Sequence, residues 1–124
     1  MLRAVGLGLA LGAMLGGTAT AQAPSQYDGH YVGELTLAKT IRGDCTPPPL
    51  GALFPLTISR GEVRFAYVPR FNTTLSGRVD PSGAFLATGR ARKGVVRMTG
   101  HVDGSDLIAS IVSPSCIYVF RTKS

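Results

Sequence analysis

Two short patterns in this 124-residue sequence pair an acid with an imidazole, Asp28-x-His30 and His101-x-Asp103. Alternate residues of a strand share a face, so each pattern puts a carboxylate beside a histidine. Were the two strands neighbours, the four groups could bind a metal or pass a proton. Nothing in the sequence brings them together. Both aspartates adjoin turn glycines, Gly29 and Gly104, where Asp commonly serves to hydrogen-bond backbone. No Gly-x-Ser-x-Gly elbow is present, and paired carboxylates are scarce among only 7 acids. Two Cys and two His at these spacings match no zinc pattern. The chain reads as a non-enzyme with no catalytic residue, no metal and no cofactor.

The basic residues are more numerous. Arg64, Arg70 and Arg78 share parity on two successive strands, Arg97 lies on the polar side of a later one, and Arg90, Arg92 and Lys93 crowd one turn. Together they outline a basic face. Such a face favours acidic partners, anionic envelope components above all, with binding that weakens in salt. Nucleic acid is not expected, because no exposed aromatics interleave with the basic residues. A second candidate is the loop Thr46, Pro47, Pro48, Pro49, Leu50. Three prolines hold it extended, which lowers the entropic cost of docking on a protein partner.

The first residues are a targeting segment by pattern. Arg3 supplies a positive charge, positions 4–17 are an unbroken apolar run, and Thr18-Ala19-Thr20-Ala21 offers a small-x-small cleavage site. This is a secretory signal peptide over 1–21, too short in its apolar part to span a membrane. Removing it takes away Arg3 and no acid. Thirteen basic residues become 12 against 7 acids, a net charge of +5. Residues 22–26 read as a flexible polar leader and 27–124 as a single domain. An exported chain with two cysteines is expected to join them, so Cys45 and Cys116 form one disulfide across 71 residues. The mature protein is therefore expected in the periplasm or outside the cell, without a membrane span. Its oligomeric state is left open.

The elements that carry these residues are all strands. Period-two alternation runs through 27–37, 53–59, 63–68, 73–80, 84–90, 95–102, 107–112 and 116–123, and no stretch after position 21 has helical periodicity. Leu75-Ser76-Gly77-Arg78-Val79-Asp80 is echoed by Met98-Thr99-Gly100-His101-Val102-Asp103 at an offset of 23 residues. Each copy closes on a Gly-containing turn, so each is half of a hairpin. Lys39 to Ala52 is the longest irregular stretch. Pro55 lacks an N–H, so its strand is expected at an edge or with an irregular start. The register at Phe85-Leu86 stays open, since a slip of one residue inverts the faces. About eight strands at regular spacing make an antiparallel meander. A small closed or partly open barrel is favoured because closure removes free edges, with a two-layer sandwich as the alternative. Whether such a barrel encloses a cavity is open.

The motifs Tyr27-Asp28-Gly29-x-Tyr31-x-Gly33-x-Leu35, Leu75-Ser76-Gly77-x-Val79-Asp80 and Gly100-x-Val102-Asp103-Gly104 resemble those of a group of small exported bacterial proteins, frequent in alphaproteobacteria, that have no defined function. The resemblance covers most of residues 27–123. It implies a periplasmic or secreted β-domain and transfers no catalytic residue. The meander is also similar to lipocalin- and avidin-like barrels. Both rely on Trp near the first strand or in the pocket, and this chain has none. Small β-barrel inhibitors of proteases and lysozymes share the size, export and sparse cysteines, but their specific motifs are absent.

Overall fold

A computed structural model describes residues 24–68 and 73–123. The signal segment 1–21, the start of the leader and Arg70 lie outside the described residues. Eight antiparallel strands follow one another around a closed barrel: β1 (Gly29–Thr40), β2 (Phe54–Ser59), β3 (Glu62–Val68), β4 (Thr73–Val79), β5 (Ala84–Ala91), β6 (Gly94–Asp103), β7 (Asp106–Val112) and β8 (Cys116–Thr122). β1 closes the ring by pairing with β2 on one side and β8 on the other. Of the two architectures open to the sequence, the barrel is the one formed.

Alternation explains why these residues fill the inside. Leu56, Ile58, Val63, Phe65, Leu75, Val79, Val96, Met98, Val102, Leu107, Ile111 and Phe120 are buried almost completely, and the residues next to them in each strand face outward. The rings of Phe65 and Phe120 meet edge-on at 5.3 Å in the middle of this core. At the undecided position, Phe85 turns inward at 4% exposure and Leu86 outward at 50%. The turn decides it. Asp80 N donates to Ala84 O and Gly83 N to Asp80 O, which sets Phe85 opposite the inward Val79.

The echoed motif has one structural meaning in both copies. Leu75 and Met98 point inward, as do Val79 and Val102. The glycine between them lets a neighbour come close. A Cβ on Gly77 would run into the Leu86 carbonyl, and one on Gly100 would press on the Phe85 ring and the Ala109 side chain.

Several boundaries differ from expectation. β1 starts at Gly29 rather than Tyr27 and runs on to Thr40, because pairing with β8 holds Lys39 and Thr40 in the sheet past a bulge at Leu37/Lys39. The basic turn contracts to Arg92-Lys93, since Arg90 pairs with Val95 and Ala91 with Gly94. Of the two expectations for β2, it is not an edge strand but does start irregularly. Pro55 lies opposite Val32, and the β2–β3 ladder begins one residue later, at Leu56↔Phe65, so the missing donor is never needed.

The meander gives the barrel two unlike ends. One carries the β2–β3, β4–β5 and β6–β7 turns, with Tyr27 donating its hydroxyl to Pro81 O at 2.7 Å. The other carries the long β1–β2 loop, the β5–β6 turn and the β7–β8 turn.

Candidate functional site

The predicted basic residues that the structure describes all reach the surface of one wall. Arg64 on β3, Arg78 on β4, Arg90 on β5 and Arg97 on β6 are exposed, and Arg92 and Lys93 are exposed at the tip that joins β5 to β6. Register relates them. Arg64 lies opposite Ser76, Ser76 opposite Thr88, and Thr88 opposite Arg97. Arg64 and Arg97 thus share one row, three strand spacings or about 14 Å apart. Arg90 sits two residues along β5 from Thr88, roughly 8 Å from Arg97. On this wall Glu62 faces Arg78 across the β3–β4 ladder and stands 3.4 Å from Arg64. That pair is exposed and contributes little to stability. At physiological salt, charges about 14 Å apart are screened from each other over a Debye length of about 8 Å. The wall therefore suits an extended anion that touches several arginines rather than a small ion held by all of them.

The proline loop is tethered at the opposite side of the loop end. The Cys45–Cys116 disulfide joins it to β8, with the two Cα atoms 5.9 Å apart. Tyr118 donates its hydroxyl to Thr46 O at 2.9 Å, and Ile41 N donates to Ser115 O at 2.7 Å. Pro48 is half-buried; Thr46, Pro47, Pro49 and Leu50 are exposed. Beneath the loop, the Tyr67 and Tyr118 rings meet edge-on at 6.1 Å. Burial raises the Tyr67 hydroxyl above its ordinary pKa, partly offset by a hydrogen bond with Ser113. Burial also raises Tyr118, and Tyr67 beside it adds to the effect. Both phenols stay neutral at physiological pH and hydrogen-bond to the loop end.

The two acid–imidazole patterns are not brought together. β7 and β8 stand between β6 and β1. Asp28 accepts from the backbone of Arg60 at 2.8 Å and Gly61 at 3.0 Å, so its carboxylate is occupied at the β2–β3 turn. His30 lies 3.4 Å from Thr57 Oγ1. Among the described residues, no three His, Cys, Asp or Glu side chains gather where a metal ion could sit. No helix among them is long and apolar enough to cross a membrane.

Several clefts escaped the sequence reading, among them a shallow one of about 420 Å³ beside His30 and Gly104, and two others bear on the candidate residues. One, of about 390 Å³, lies on the outer face of β6–β8, where His101, Asp103, Asp106 and Arg121 converge. Register places His101 beside Ile108 and Ile108 beside Arg121. The other, of about 350 Å³, lies between β1 and the proline loop, from Glu34–Leu37 to Pro47–Ala52. The prolines signalled an extended loop here, and only the strand register shows what that loop leaves uncovered. No protein-family model matches this chain, and neither a curated protein nor a solved structure matches it.

Proposed function

We propose that this chain is an exported, non-enzymatic binding module of the cell envelope. Its β3–β6 wall recognises an extended anionic polymer or an anionic surface. One observation carries the reading: Arg64, Arg78, Arg90, Arg92, Lys93 and Arg97 are all exposed on four consecutive strands and an adjoining turn, with Glu62 among them and Asp80 and Asp103 at the far end. The Cys45–Cys116 disulfide agrees with an oxidising compartment.

The test uses the oxidised mature chain on a solid support and vesicles containing an anionic lipid or lipopolysaccharide. Retention is expected to fall steadily as salt rises. The triple variant Arg90→Glu, Arg92→Glu, Lys93→Glu is expected to lose retention at all salt concentrations. Unchanged retention in that variant would remove the wall as the site.

The tethered loop favours a second reading, an inhibitor or adaptor that grips a periplasmic or secreted protein through Thr46–Leu50. The disulfide and the Tyr118–Thr46 bond order this loop before any partner arrives. It predicts a stoichiometric complex that survives high salt and is lost when residues 46–50 are replaced by Gly and Ser.

A further inference from the structure

The barrel is closed by pairing, yet one seam is only half zipped. β1 runs from Gly29 to Thr40, but its ladder with β2 stops at Gly33↔Phe54. Lys123 N donates to Val32 O, so even-numbered residues of this part of β1 aim their backbone groups at β8. Alternation then turns the N–H and C=O of Leu35 and Leu37 toward the β2 side. If the register continued, Ala52 would lie opposite Leu35 and Leu50 opposite Leu37. Neither is there as a strand. Ala52 N donates to Pro49 O at 3.1 Å, and Gly51 has a φ of 79°. This is a type II turn, with glycine where φ must be positive. It peels the chain away from β1 just where the ladder would have gone on. Pro47, Pro48 and Pro49 lack the N–H groups with which to repair it.

What remains is the cleft of about 350 Å³, with a strand edge on one side and an apolar wall on the other. Leu50 projects from that wall with no cover at all, and Leu53 is more than half exposed. The geometry points to an extended peptide segment of another protein as the occupant, added as a strand to β1 between Gly33 and the bulge at Leu37/Lys39. Unpaired backbone donors and acceptors in strand geometry select an extended main chain over any other ligand. The loop stands where a second barrel would have to approach, so the cleft admits one slender chain rather than a sheet edge. Alternate side chains of the peptide would rest on Leu50 and the prolines, which favours large apolar residues at every second position. Lys39 and Arg42 are exposed just beyond Leu37, favouring an acidic residue at that end. The inference rests on the loop reading above and gives it a mode of binding. It is independent of the basic wall.

Amide hydrogen exchange on the oxidised full-length mature chain tests the edge first. Leu35 and Leu37 should exchange fast while Glu34 and Thr36, which face β8, stay protected. Short random peptides displayed on a surface are then selected on the same chain. Selected peptides should protect Leu35 and Leu37. A proline scan of one of them should weaken binding about tenfold or more at alternate positions only. Leu50→Ser, at a site with no packing to lose, should weaken it without unfolding the barrel. Slow exchange of both amides in the free chain would overturn the proposal, as would a failure to select any peptide. So would protection that grows with protein concentration alone, which would mean a second copy. Peptides lost on Gly/Ser replacement of 46–50 that leave both amides unprotected would keep the loop reading and overturn the strand addition.

Discussion

At the scale of residues, two of this chain's seven acids, Asp28 and Asp80, hold turns through backbone hydrogen bonds. Asp28 accepts from two successive backbone N–H groups at Arg60 and Gly61. Arg60 is a non-glycine residue at a φ of 54°, a conformation that side chains resist. The carboxylate holds it there. Asp28→Ala should therefore cost about 1–2 kcal/mol, read from the denaturant midpoint, because two donors lose a charged acceptor. Asp80 accepts from the Ser82 hydroxyl at 2.6 Å and from the backbone of Ser82 and Ala84. These bonds, the Ser82 hydroxyl foremost, hold its carboxyl below its ordinary pKa of 3.8. A depressed pKa contributes stability above the unfolded value and loses it as pH falls through the folded one. Asp80→Asn should thus be less stable than the parent at neutral pH, with the gap closing below about pH 3.8. Equal gaps at pH 7 and in strong acid would show that the charge has no part in it.

At the scale of elements, the echoed motif is a packing device. Gly77 on β4 faces backbone of β5, whereas Gly100 on β6 faces side chains, the Phe85 ring and Ala109. The Phe85 ring can turn aside, whereas the β5 backbone cannot; the Ala109 methyl, fixed to its own Cα, yields only by a small shift of its strand. Gly77→Ala should therefore cost about 3 kcal/mol in equilibrium unfolding, the upper part of the range for overpacking. Gly100→Ala should cost less. A reversed order would mean that β4 and β5 can part more easily than Phe85 can turn. The same scale governs the two candidate sites. The basic wall needs four consecutive strands with outward parity kept from β3 to β6, and a slipped ladder would turn its arginines into the core. The cleft beside β1 needs the opposite, a ladder that stops early.

At the scale of the whole molecule, the disulfide ties the loop to the strand that closes the ring. Cys45 and Cys116 are 71 residues apart in sequence. Removing a constraint of that span is expected to lower stability by roughly 4 kcal/mol in the chain-entropy account. A domain of this size has about 5–15 kcal/mol in hand, so reduction should lower the thermal midpoint sharply while the reduced barrel still folds. Reduction should also loosen residues 42–50 more than the wall. Anionic vesicles would then still bind under reducing conditions, while any partner of the loop would bind less well. Loss of both together would mean that the ring itself opens without the bond.

Much of this was legible in the residues themselves. Period-two alternation gave the number and order of strands, the inward sides of β2, β3, β4 and β6, and the outward arginines. A strand in a half-buried sheet must repeat every second residue, so each pattern is local. The pairing of Cys45 with Cys116 followed from there being two cysteines and no third. Three matters needed the tertiary structure. Phe85 against Leu86 depended on hydrogen bonds inside the Asp80–Ala84 turn, and turn geometry is not a periodic signal. The distance between His30 and His101 depended on which strands are neighbours around the ring. The open edge at Leu35 and Leu37 depended on where the β1–β2 ladder ends, which the Pro49–Ala52 turn decides against a strand 12 residues earlier in the chain or more. Strand patterns are written residue by residue, but a gap between strands belongs to two segments at once, and only their pairing reveals it.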